Sequence, residues 1–174
     1  TGHQEILSDP SYAGQVVCFT FPHVGNVGAN SEDEEAASAP ARHAAVGMVS
    51  RAPLTPPANY RATESFAEWL RTRGIISLTG VDTRALTRRI RDHGMVMCAI
   101  AHNAGGNIDI EALKASAKAA ASMEGRELAA AVTRETAGEW AEGAWDWETG
   151  YSKVPATGPR VVGRDYGSRC KNSY

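Results

Sequence analysis

Three cysteines and five histidines are the residues of this chain that could carry covalent catalysis. A nucleophilic thiolate needs a tight turn that lifts it clear of its neighbours, a histidine base within reach and an acid to orient that base. Cys18 lies between Val17 and Phe19, Cys98 between Met97 and Ala99, and Cys170 between Arg169 and Lys171, so none has the flanking glycines of such a turn. The surroundings of Cys18 and Cys98 are strand-like apolar runs, where a thiol behaves as a small hydrophobe. Basic neighbours could lower the pKa of Cys170, yet no histidine follows it in the chain. His3, His23, His43, His93 and His102 are scattered and read as surface or interface residues. His23, between Pro22 and a glycine-asparagine loop, is the one placed to position something. An odd number of widely spaced cysteines fits a reduced, cytoplasmic setting better than a disulfide framework. With no Cys-x-x-Cys pair, a zinc site is not expected.

Ligand contact is the other chemistry on offer. Ser11 sits in the turn Asp9-Pro10-Ser11-Tyr12. A serine on a proline-initiated turn presents its hydroxyl and backbone donor to a carboxylate at little conformational cost. On the residues alone two roles stand open, ligand contact and simple satisfaction of the turn beside Asp9. Gly25-Asn26-Val27-Gly28 lacks the Lys-Ser/Thr of a phosphate loop and is no Gly-x-Gly-x-x-Gly. It reads as a loop needing positive φ at Gly or Asn, shaping a domain or subunit interface. Trp140, Trp145 and Trp147 are expected to pack a domain boundary. The acids around them, Glu139, Glu142, Asp146 and Glu148, deny the basic groove that stacking on single-stranded nucleic acid requires.

The elements that must position these residues alternate between strands and helices. Residues 15–21, 44–51, 75–79 and 95–101 read as strands. Pro53, Pro56 and Pro57 enforce an extended loop. Ser65-x-x-Glu68 is a capping box opening a helix that buries Phe66, Trp69 and Leu70, and Gly74 closes it in a left-handed cap. Asp82 caps a second helix, with Ala85, Leu86 and Ile90 along one face and Gly94 at its end. Residues 104–107 form a turn and 109–121 an alanine-rich helix. The acidic stretch 31–41 has no sharp apolar period and is expected to be a short helix or a solvated connector, not a cation site. Such alternation implies an α/β or α+β layer structure.

Composition narrows the partners. A net charge of −2 over 174 residues provides no basic field for nucleic acid or anionic membrane. No apolar run approaches the ~20 residues of a membrane span, and no positively charged start precedes an apolar stretch as in a signal peptide. The 43% hydrophobic content is enough for a core at this size.

Taken as a series, the segments have a specific likeness. The opening run TGHQEILSDPSYAGQVVCFTFPHVGNVGANSEDEE, the Asn59-Tyr60-Arg61-Ala62-Thr63 segment, and Gly80-Val81-Asp82-Thr83-Arg84-x-Leu86-Thr87-x-x-x-Arg91-x-x-Gly94 are similar to the small chain of glutamine-hydrolysing carbamoyl-phosphate synthase. The likeness covers nearly all of residues 1–167. It implies a layered β/β/α N-terminal domain over 1–150, a linker over 151–159, and the start of a class I glutamine amidotransferase domain over 160–174. The first strand of that α/β domain would be Arg160-Val161-Val162-Gly163-Arg164-Asp165-Tyr166-Gly167. His3 stands where the family usually has Tyr, and the tail from Gly167 departs from the family pattern.

By resemblance, the whole protein hydrolyses glutamine and passes ammonia to a large chain. That partner uses bicarbonate, ATP and magnesium to make carbamoyl phosphate for arginine and pyrimidine biosynthesis. Its catalytic Cys, His and Glu belong to the amidotransferase domain, so this segment is expected to be inactive alone and to hold no cofactor. The family's serine of the Asp-Pro-Ser-Tyr turn contacts the bound glutamine, and the matching residue is Ser11. The implied partners are the large chain and glutamine, with neither nucleic acid nor membrane. The chain reads as truncated at both ends: an absent opening strand region leaves a sheet edge unpaired, and the residues from about Gly163 are expected to be disordered. The alternative reading is a stand-alone, non-catalytic interaction or scaffold module of the same complex.

Overall fold

β-Branched and aromatic residues crowd the run that forms strand β1 (Val16–Phe19). β1 pairs in parallel with β2 (Gly47–Ser50), and β2 with β3 (Ile76–Leu78), in the order β1-β2-β3. The computed structural model describes residues 2–35, 44–133, 136–154, 157–159 and 161–163.

Parallel neighbours need a crossover. Between β2 and β3 it is helix α2 (Phe66–Thr72). The Ser65 hydroxyl accepts the Glu68 N–H at 3.2 Å, and Gly74, at a φ of 68°, closes the helix left-handed. Only half of the expected capping box forms, because the Glu68 carboxylate accepts from Arg71 Nε at 3.1 Å. Ahead of β1 lies helix α1 (His3–Ser8), which periodicity did not reveal: six residues are under two turns.

The core fills one face of the sheet. Phe19 and Met48 from the strands meet Leu7 from α1 and Phe66, Trp69 and Leu70 from α2, with Val24 and Ile75 closing the sides. Phe66 and Trp69 stack with centroids 5.5 Å apart and planes 8° from parallel. The i, i+3, i+4 spacing of these three α2 residues is what turns them all inward.

The opposite face carries Cys18, Val49 and Leu78 in register. Helix α3 (Thr83–His93) begins there, with Asp82 accepting the Ala85 N–H at 3.0 Å and the Cys18 Sγ lying 4.0 Å from the Thr83 carbonyl. Leu86 and Ile90 are half-buried and Ala85 is exposed, so the expected stripe is only partly covered. Leu78 keeps 49% exposure.

Residues 95–101 form no strand, which corrects the sequence expectation. Met95 is 75% exposed and Cys98 is exposed as well. A strand exists through its ladder, and none of the described strands pairs with this run. Helix α4 (Ile110–Ala119), capped by Asp109 onto the Ala112 N–H at 3.0 Å, matches expectation but has no buried residue. A short helix α5 (Ala129–Val132) follows.

Further along, β4 (Glu142–Asp146) and β5 (Gly150–Lys153) form an antiparallel hairpin. Residues 151–153 are therefore strand, where a linker was expected. Pairing outweighs the small polar composition of the segment. Of the strand expected over 160–167, residues 161–163 are irregular, with Val161 and Val162 at 90% and 95% exposure, and the others lie outside the described residues. Cys170, His43 and residues 36–41 also lie outside them. Among the described residues no helix is long and apolar enough to cross a membrane.

Candidate functional site

Asp9 and Pro10 set the geometry around Ser11. Proline fixes φ at the start of the single 3-10 turn Pro10–Tyr12, and the Asp9 carboxylate accepts the Ser11 N–H at 2.8 Å. The Tyr12 N–H reaches the Asp9 carbonyl at 3.0 Å, and the Gln15 side-chain amide donates to the Ser11 carbonyl at 3.1 Å. Thus the backbone of Ser11 satisfies the turn. Its side chain is exposed, and its hydroxyl makes no hydrogen bond among the described residues.

Buried polar side chains fix the turn to the rest of the domain. Gln4 exchanges two bonds with the Asn30 backbone: Nε2 donates to the carbonyl at 2.6 Å and Oε1 accepts the N–H at 3.0 Å. The Ser8 hydroxyl donates to the Gln4 carbonyl at 2.8 Å and accepts the Glu35 N–H at 3.0 Å. Each of these buried groups is paired, as a polar group away from water must be. Asn30 then closes the acidic loop, its Oδ1 accepting the Glu32 and Asp33 N–H groups at 2.9 and 3.0 Å. The glycine loop lies alongside, with Gly25 and Gly28 at φ of 102° and 72°. Ala29 bridges to Glu64, and the Ala58 N–H donates to the Asn26 carbonyl at 2.8 Å.

The acids 32–34 lie in an irregular connector and are tied to arginines, with Glu32 still exposed and Asp33 and Glu34 partly buried. Arg61 Nη2 lies 2.9 Å from Glu32 and 3.0 Å from Asp33. Glu34 accepts the Trp69 indole N–H at 2.9 Å and pairs with Arg73, whose guanidinium sits 5.0 Å above the Trp69 ring. Arg61 and Arg73 thus match the charge of Glu32, Asp33 and Glu34.

His3, expected at the surface or at an interface, is buried in the domain at 7% exposure, against Phe19 (5.2 Å, edge-to-face) and Phe66 (6.1 Å). Burial lowers its pKa below the usual 6.5 because the charged ring loses hydration. The unfolded chain therefore binds the extra proton first. Stability is full above pH ~6.5 and declines as the pH falls from there toward the folded pKa. His3→Phe is expected to flatten that decline, as read by denaturant midpoints between pH 5 and pH 7.5; an unchanged slope would place the acid sensitivity elsewhere.

Burial also pushes the Cys18 thiol up, away from the thiolate a nucleophile needs. Cys98 lies on an irregular exposed segment, and His23, His93 and His102 are all exposed. What the Asp9–Tyr12 turn can offer chemically is the exposed Ser11 hydroxyl.

The family model described as carbamoyl-phosphate synthase small chain, CPSase domain, matches residues 1–100, the stretch containing α1, the Ser11 turn, the sheet and α3. The chain belongs to that family. Within the family, the carbamoyl phosphate synthase small chain of Maricaulis maris (strain MCS10) is 71% identical over 167 residues, covering 96% of this chain and 43% of that protein. Its counterpart in Rhizobium meliloti (strain 1021) is 52% identical over 169 residues, covering 96% and 42%. That of Brucella anthropi is 48% identical over 167 residues, covering 96% and 41%. The chain thus spans 41–43% of the length of these family members. The Gln4–Asn30 clamp and the pairings of Arg61 and Arg73 escaped sequence reasoning because their partners lie 26 or more residues apart, with no spacing signal between them.

Proposed function

We propose that this chain provides the layered β/β/α N-terminal scaffold of the glutaminase subunit of a cytoplasmic carbamoyl-phosphate synthase. In this reading residues 1–150 are the scaffold, and the chain leads into a class I amidotransferase domain that carries the catalytic thiol. Ammonia released there passes to a large chain, which uses ATP and magnesium to make carbamoyl phosphate for arginine and pyrimidine synthesis. Ser11 contributes the scaffold's own chemistry, a hydrogen bond to the charged end of bound glutamine. The observation behind this role is the division of labour at Ser11: its backbone serves the turn while its exposed side chain has no hydrogen bond from its hydroxyl among the described residues.

The test replaces Ser11 by Ala in a full-length small chain that carries this segment, assembled with its large chain. Loss of a hydrogen bond to a charged group costs about 1.5–3 kcal/mol. Glutamine use should fall roughly ten- to a hundred-fold, mostly through KM, because the contact lies away from the reacting amide. Ammonia-dependent synthesis should hardly change. Unaltered glutamine kinetics would return Ser11 to a turn residue, and equal loss of both activities would make the turn an interface element.

A companion prediction concerns the segment alone. The purified 174-residue chain is expected to release no ammonia from glutamine above background. Glutaminase activity that disappears on alkylating Cys170 would overturn this.

A further inference from the structure

The β4–β5 hairpin holds its tryptophans against an earlier part of the domain. Trp147 lies 6.0 Å from Trp145 and 6.1 Å from Tyr60, edge-to-face in both contacts. The Arg61 guanidinium sits 5.4 Å from the Trp145 ring centroid while bound to Glu32 and Asp33. Arg61 therefore fixes Trp145, and its own charge is already matched.

Tyr60 and Trp147 behave differently. They remain 76% and 72% exposed, against 38% for Trp145. Two large aromatic side chains left in water at one spot are the residue types that anchor protein interfaces. The ionisable groups nearest in sequence to Trp147 are Asp146 and Glu148, with Glu142 further along β4. Asp146 accepts the Glu148 and Thr149 N–H groups at 2.9 and 3.1 Å, which favours its ionised form. The only base on the hairpin strands, Lys153, stands opposite Glu142 in the register, at the far end from Trp147.

We propose that the exposed rings of Tyr60 and Trp147, with the acidic residues Asp146 and Glu148 on either side of Trp147 in the sequence, dock an arginine-bearing segment of a partner polypeptide. A guanidinium stacks on aromatic faces and pairs with carboxylates, so both halves of the surface suit it. The fold already uses the same combination twice, at Arg61 with Trp145, Glu32 and Asp33, and at Arg73 with Trp69 and Glu34. A second copy of the chain would set acid against acid across a two-fold axis. Nucleic acid and anionic lipid meet the same repulsion.

The probe is the peptide Ac-Gly-Arg-Gly-Arg-Gly-amide, titrated at low salt into a full-length small chain that carries this segment and followed by tryptophan fluorescence. Peptides with serine or aspartate in place of arginine are the controls. The arginine peptide is expected to give a saturable change, weakened about fivefold or more by Trp147→Ala and by added salt. Glu148→Gln, which removes a charge without removing a ring, should weaken it as well and decides the matter if Trp147→Ala fails to fold. The proposal is overturned by no saturable change, by an equal response to the serine peptide, or by undiminished binding in Glu148→Gln. A concentration-dependent change without peptide, the mark of a second copy as occupant, would also overturn it.

Discussion

Trp69→Ala is expected to destabilise the domain by about 3–5 kcal/mol, the range for deleting a buried tryptophan side chain. Trp69 is 1% exposed, stacks on Phe66, and donates its indole N–H to Glu34 at 2.9 Å. Its removal opens a cavity in the core and takes a donor from a carboxylate that then depends on Arg73 and a long contact from Gln4 (3.5 Å). A loss of this size is a large part of the ~5–15 kcal/mol that holds a typical domain together. Urea titration should show a lower midpoint, or no cooperative transition at all. Trp69→Phe keeps an aromatic ring against Phe66 while losing the N–H and part of the indole's volume, so it should cost less than alanine. A loss below about 1 kcal/mol for alanine would show that α2 does not close the core.

Gly28→Ala should be the next most damaging change, at about 2–4 kcal/mol. Two separate effects add at this position. Gly28 has a φ of 72°, where a side chain is strained, and a Cβ there would lie 2.5 Å from the Ala62 Cβ and 2.9 Å from the Pro57 Cβ. Both obstacles belong to short, stiff residues that cannot swing aside. Gly14 supplies an internal control, because it has the same φ of 72° but nothing within 4 Å of the added carbon. Gly14→Ala should therefore show the backbone strain alone, about 1 kcal/mol. Equal losses at the two glycines would mean that the loop yields at Ala62, and that close packing is not what demands glycine at residue 28.

The contrast between those glycines illustrates where sequence reasoning succeeds. A need for positive φ in Gly25-Asn26-Val27-Gly28 is legible from residue type, and it falls on Gly25 and Gly28, with no non-glycine residue at positive φ among those described. That Gly28 also faces Ala62 and Pro57 is a contact across more than 25 residues of chain, with no local signature. His3 gives the same lesson. Its type suggested a surface or interface residue, yet Phe19 and Phe66 converge on it from β1 and α2.

By itself the sequence determined the features that depend on neighbours three or four positions away. These are the Ser65, Asp82 and Asp109 caps, the glycine stops at Gly74 and Gly94, the inward face of α2 and the Asp9–Tyr12 turn that presents Ser11. Each forms within one or two turns of backbone, so residue types at fixed spacing are sufficient. Tertiary structure alone decided which strand-like runs became strands. Residues 44–51 and 95–101 look equally apolar, but only the first contains a run with a ladder on both sides, between β1 and β3. The same holds for the acids 32–34, whose arginine partners lie 28 to 39 positions away, and for the exposed rings of Tyr60 and Trp147. A side chain's partner at that distance is set by how the chain returns on itself, which no local spacing encodes.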